Sequence, residues 1–164
     1  MRRTLAVVAG FAAAVSIAFV AASCGSDSTG PGTKQYIANP TPALEQPPKT
    51  TTGTGVVTFI DRGTQIDWSM TLTGVTNVTQ SHIHLGSTAV AAGPVIFNLF
   101  IPNQPPPTGT LNGFVMQGTI TNANNSSISL DSLRVLFNNG SAYVNIHTTV
   151  NPGGEIRDQV HPVP

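Results

Sequence analysis

The chain has 164 residues, of which 9% are charged, seven basic against seven acidic. That length suits one domain with appendages. Nucleic-acid binding draws on clustered Lys and Arg, and Lys34, Lys49, Arg62, Arg134 and Arg157 are too dispersed to supply it.

The N-terminus stands apart. Arg2 and Arg3 precede an apolar, small-residue run from Leu5 to Ala22, and Ala21-Ala22-Ser23 leads into Cys24, the single cysteine. This is the pattern of a secretory signal peptide, and the small residues before Cys24 resemble a bacterial lipobox. A lone cysteine has no intrachain disulfide partner, so lipidation is its expected fate. An ordinary secretory signal with a chance cysteine, and an uncleaved anchor of about the 20-residue spanning length, are the alternatives. The expectation is a signal peptide over 1–23, lipid on Cys24, and an exported protein held to the bacterial cell envelope, on the periplasmic or cell-surface side. Loss of Arg2 and Arg3 leaves five basic against seven acidic residues.

Residues 24–54 are rich in Gly, Ser, Thr and Pro, as in Ser28-Thr29-Gly30-Pro31-Gly32 and Pro40-Thr41-Pro42. Such a segment buries too little apolar surface to offset chain entropy. It reads as a flexible tether, with Tyr36-Ile37 pairing loosely at most, and the folded domain is expected over 55–164.

Within the domain the β pattern is strong. Val56–Asp61 reads as a strand and Arg62-Gly63-Thr64 as a hairpin turn. Ile66, Trp68, Met70 and Leu72 then alternate with polar residues, the signature of a half-buried antiparallel strand with Trp68 in the core. His82–Leu85 is the next strand. Val95–Ile101 is apolar on both faces and reads as central or doubly covered. A Pro-rich loop over 102–109 leads to a strand over Leu111–Ile120, whose Gly113 and Gly118 suggest a bulge or a close backbone approach. Ser129 as cap, Asp131 in the first turn, the spacing of Leu130, Leu133, Leu136 and Phe137, and Gly140 as stop predict one helix. Strands over Ala142–Thr148 and Glu155–Val160 follow, joined by Asn151-Pro152-Gly153-Gly154. His161 lies in a Pro-rich tail. The expected fold is mainly all-β: a Greek-key β-sandwich or flattened barrel of about seven or eight antiparallel strands with one short helix.

The chemistry concentrates on two of these strands. Side chains alternate faces along a strand, so His82 and His84 oppose Ile83 and Leu85. Tyr143, Asn145 and His147 oppose Val144 and Ile146, and Glu155 and Arg157 oppose Ile156. If the apolar sides share a core, three histidines, Tyr143, Asn145, Glu155 and Arg157 gather on the other face. Imidazoles suit Cu or Zn, and His82, His84 and His147 are the candidate ligands, with the other four around them. The competing reading has the same histidines hydrogen-bonded to neighbours as clamps of strand register. No Gly-x-Ser-x-Gly elbow, phosphate loop or cysteine nucleophile of the domain is present. Ser81 and His82, as strand neighbours, point to opposite faces. No catalytic residue is assigned, and an enzyme is the less expected outcome.

His82-Ile83-His84-Leu85-Gly86, then Gly93-Pro94-Val95, and the ending Tyr143 to Thr148 with Asn151-Pro152-Gly153-Gly154-Glu155-Ile156-Arg157 together resemble the CHRD (chordin) domain, a family common among bacterial secreted proteins. The resemblance covers roughly Gly55 to Val160. It speaks to fold more than to function, and implies a binding or structural module of the envelope. The partners expected from it are the membrane, reached through the N-terminal lipid, and an extracytoplasmic protein or polysaccharide. The histidine pattern is also similar to the copper site of copper–zinc superoxide dismutases, themselves Greek-key barrels. By position His82, His84, His147 and Arg157 would take the places of that family's His-x-His pair, later His and late Arg. The chain lacks its bridging histidine after Gly86, its zinc ligands and its paired cysteines, so dismutase activity is not implied.

Overall fold

A computed structural model describes residues 33–100, 108–125 and 127–164. The expected signal peptide, Cys24, the first part of the expected tether and most of the 102–109 loop lie outside the described residues.

Among the described residues, nine strands and one α-helix follow in order: β1 (Lys34–Ala38), a 3-10 turn (Pro42–Leu44), β2 (Thr54–Asp61), β3 (Ile66–Thr76), β4 (Val78–Leu85), β5 (Val95–Phe100), β6 (Thr110–Ile120), α1 (Leu130–Asn139), β7 (Ala142–Thr148), β8 (Ile156–Gln159) and β9 (His161–Pro162). They form two antiparallel sheets, ordered β6-β3-β2-β1-β9 and β5-β4-β7-β8. One apolar cluster holds Val57, Phe59, Ile66, Trp68, Met70 and Leu72 from the first sheet and Ile83, Val144, Ile146 and Ile156 from the second. The mainly β sandwich expected from the alternation is therefore the observed architecture. β6 returns to lie beside β3 after the β4–β5 pair has crossed to the other sheet, a Greek-key return.

Local sequence explains the joints. Asn77 turns the chain between β3 and β4 with φ 52°, a left-handed value that Asn tolerates better than most residues. Gly118 pairs with Trp68 across β3 and β6. A Cβ at Gly118 would stand 2.8 Å from the indole ring, so the glycine there answers a close approach. The α1 helix starts at Ser129, whose side chain accepts from the Ser132 amide, and ends at Gly140 in the left-handed region with φ 67°. Its Leu130, Leu133 and Phe137 are buried, each contributing on the order of 1.5–3 kcal/mol from burial. Phe137 meets Tyr36 and Phe59 at ring-centroid separations of 5.2 and 4.9 Å. Arg134 of α1 donates to both carboxylate oxygens of Asp61, at 2.7 and 2.9 Å.

Two expectations are corrected. The tether does not run through residue 54: β1 inserts between β2 and β9, with Tyr36 and Ala38 buried. Pro42 and Glu45 are buried as well. The surrounding proline and threonine mask these five residues in the sequence, whereas in the fold Tyr36 meets Phe137 edge to face. β5 is an edge strand rather than a central one. Its register with β4 shifts between Ser81 and His82 and again between Ile83 and His84. The residues left without a partner at those two bulges are Leu99 and Ile96, and both are buried. Bulges re-aim side chains, which is why apolar residues read as occupying both faces of one strand.

Candidate metal centre

β4 and β7 are neighbours, in register His82 with Asn145, His84 with Tyr143 and Gln80 with His147. Paired residues share a face, so the pleat brings the three histidines together. That face points away from the shared core, yet His82, His84 and His147 are only 7%, 8% and 6% exposed. The loop between β4 and β5, the loop between β7 and β8, and the 3-10 segment roof them over. The sequence showed the shared face but not the roof.

Two of the rings are oriented by their second nitrogen. His84 Nδ1 donates to the Gly93 carbonyl at 2.8 Å, and His147 Nδ1 donates to the Pro152 carbonyl at 2.9 Å. A carbonyl only accepts, so both rings are Nε2 lone-pair tautomers. His82 Nδ1 lies 3.2 Å from His147 Nε2; without an ion, His82 donates there. His84 Nε2 is buried and has no partner. One nitrogen from each ring lies within 4.8 Å of the other two. Tetrahedral Zn with bonds of about 2.0–2.1 Å sets its nitrogens about 3.3–3.4 Å apart. The His82–His147 pair, at 3.2 Å, is already close to that separation, and the 4.8 Å bound on the whole group leaves only a small adjustment to close the triad.

Burial sets the electrostatics. His82 is pushed down to about 4 from 6.5, first by desolvation and then by the neighbouring His147 and His84. Desolvation lowers His84 and His147 too, opposed by their bonds to Gly93 and Pro152. The three imidazoles therefore rest mostly neutral near pH 7, the charge state that ligates metals, and an ion would displace the His82–His147 hydrogen bond.

The surrounding residues hold the roof. Tyr143 stacks on His84, with ring centroids 4.8 Å apart and planes 4° from parallel. Its hydroxyl accepts from the Gly93 amide at 2.9 Å, so Gly93 is held at both its amide and its carbonyl. Arg157 lies over the other face of Tyr143, 3.5 Å from the centroid, and donates to the Val90 and Ser87 carbonyls at 2.6 and 2.9 Å. Glu155 accepts from Thr148 and Asn151 at 2.9 and 2.5 Å. It thereby fixes the loop that carries Pro152 and does not touch a histidine ring itself. His161 belongs to β9, paired with Ile37, away from the cluster.

Sequence reasoning missed Glu45, Gln159 and the two carbonyls. Glu45 is buried, with its carboxyl raised by desolvation against the hydrogen bonds of Gln46 and Asn145. Gln159 ties the Gly86 and Gly140 carbonyls at 2.8 and 2.7 Å. For Gln159, whose place opposite Tyr143 continues the alternation of Arg157, a signal existed. For Glu45, 100 residues from Asn145 in the chain, none did.

The family model of the CHRD domain matches residues 36–160. Neither a curated protein nor a solved structure matches the chain.

Proposed function

The chain belongs to the CHRD domain family, and on that premise we propose that it is a metal-holding module of the bacterial cell envelope, carrying one Cu or Zn ion on His82, His84 and His147. The observation that carries the reading is the buried, unpartnered Nε2 of His84 beside two further imidazole nitrogens. An unmet buried nitrogen costs about 1–3 kcal/mol, and a metal bond removes that cost. Backbone carbonyls orienting the ligand histidines are the usual outer support of such sites. The donor set is all imidazole, which suits both Zn and Cu. In this reading the protein binds rather than catalyses. Cys24 carries lipid, and the domain stands off the membrane on the residues before β1, within reach of an extracytoplasmic protein or polysaccharide.

The His82–His147 hydrogen bond favours a second reading, in which the histidines clamp β4 to β7 without metal. Titration of the chelator-treated chain with Zn(II) and Cu(II) separates the two. The metal reading expects about one ion per chain and its loss in His84→Ala. A folded wild-type chain that takes up neither ion leaves the clamp.

A further inference from the structure

The Glu45 carboxylate is 1% exposed. Its oxygens accept from Asn145 Nδ2 at 3.1 and 2.9 Å, and Oε1 also accepts from the Gln46 amide at 3.2 Å. Among the described residues no Lys or Arg forms an ion pair with it. A buried carboxylate without a contacting cation is costly. Asn145 is itself buried, and its Oδ1 has no donor. In register Asn145 stands between His82 on β4 and Arg157 on β8. The amide therefore holds the carboxylate beside the strand position of His82. Gly154 makes room for this contact: a Cβ there would come 2.2 Å from Glu45 Oε2 and 2.7 Å from Asn145 Nδ2.

Resting on the three-histidine reading, we infer that Glu45 and Asn145 select the valence of the ion: a divalent ion that keeps one water molecule, in preference to monovalent copper. The cost of burying charge rises with its square, so a dication on three neutral rings needs an anion nearby far more than a monocation does. Arg157 already brings a positive charge to this face, which sharpens that need. Glu45 supplies the anion. A water on the ion would donate a hydrogen bond to Asn145 Oδ1, which otherwise has no donor. Three protein ligands and one water are the open arrangement that Zn adopts. Monovalent copper bound by two or three nitrogens needs neither the anion nor the water.

The test compares Zn(II) and Cu(I) affinities of the full chain by competition with chromophoric chelators, the Cu(I) series under anaerobic reductant. Glu45→Gln should weaken Zn(II) by at least about tenfold and leave Cu(I) within about threefold. Should Glu45→Gln fail to fold by circular dichroism, Asn145→Ser, which leaves the carboxylate and removes the amide, is read in the same titrations with the same expectation. Equal loss for both ions, or no loss for either, overturns the inference; a Glu45 that only balances Arg157 gives that result. A wild-type chain that takes neither ion ends the three-histidine reading and this inference with it. Wild-type loading with unselective variants ends this inference alone.

Discussion

Acidification of the metal-free chain should cost stability in a window that belongs to the histidines. His82 has a folded pKa of about 4 against an ordinary 6.5. Its folded value is depressed, so the unfolded chain takes the proton first. The stabilisation is complete above about 6.5 and is lost as pH falls from there toward 4. Each pH unit between the two values is worth about 1.4 kcal/mol. The interval corresponds to about 2–3 kcal/mol once some solvent screening of the ring is allowed for. His84 and His147 shift in the same direction and add to the loss. Glu45, raised by burial, works the other way at the acid end. Asp61 and Glu155, both held low, lose their contributions only below their ordinary values of 3.8 and 4.5. Comparison with His82→Gln isolates the one ring. Urea unfolding in the presence of chelator, at pH near 7.5 and near 4.5, is the assay. The wild-type midpoint should fall by about 1–2 M more than that of the variant, for a urea slope of about 1–3 kcal/mol/M. Parallel pH dependence in the two proteins would refute the claim that this ring is desolvated.

Two further outcomes follow from the same structure, and a third from the sequence around Cys24. Gly93→Ala should lower metal affinity by about 10–100-fold in chelator competition, because a Cβ there would stand 1.7 Å from the Leu85 carbonyl and the displaced loop would release His84. Removal of residues through Glu45 should lower the melting temperature sharply, since it takes away β1 and its buried Tyr36; an unchanged melting curve would return the segment to the status of a tether. Cys24→Ala should move the protein from the membrane fraction to the soluble one, or stall its processing, and a wild-type protein already soluble would count against lipidation.

How far the sequence could be read depended on the range of each signal. β3 was legible because Ile66, Trp68, Met70 and Leu72 keep strict alternation and are all buried. α1 was legible from Ser129 to Gly140 because caps and apolar spacing are local. The histidine face followed from the phase of β4 and β7, once those strands were neighbours. β5 misled because a bulge is a property of two strands in register and leaves no mark on one. β1 was hidden because its five residues gain their order from β2 and β9, far along the chain. Glu45 and the Gly93 and Pro152 carbonyls were invisible for a related reason. A main-chain oxygen has no letter in the sequence, and a lone Glu has no period.

Two of the three imidazoles are set by those carbonyls. Their tautomers are thus inherited from the path of the main chain and not from the identity of any side chain. Point substitution on the surface of either loop leaves the oxygen in place. An insertion or deletion of a single residue does not. Away from Gly93 and the histidines themselves, the site is therefore more tolerant of change in composition than of change in spacing, and loop length is a second handle for an engineer who wished to retune it.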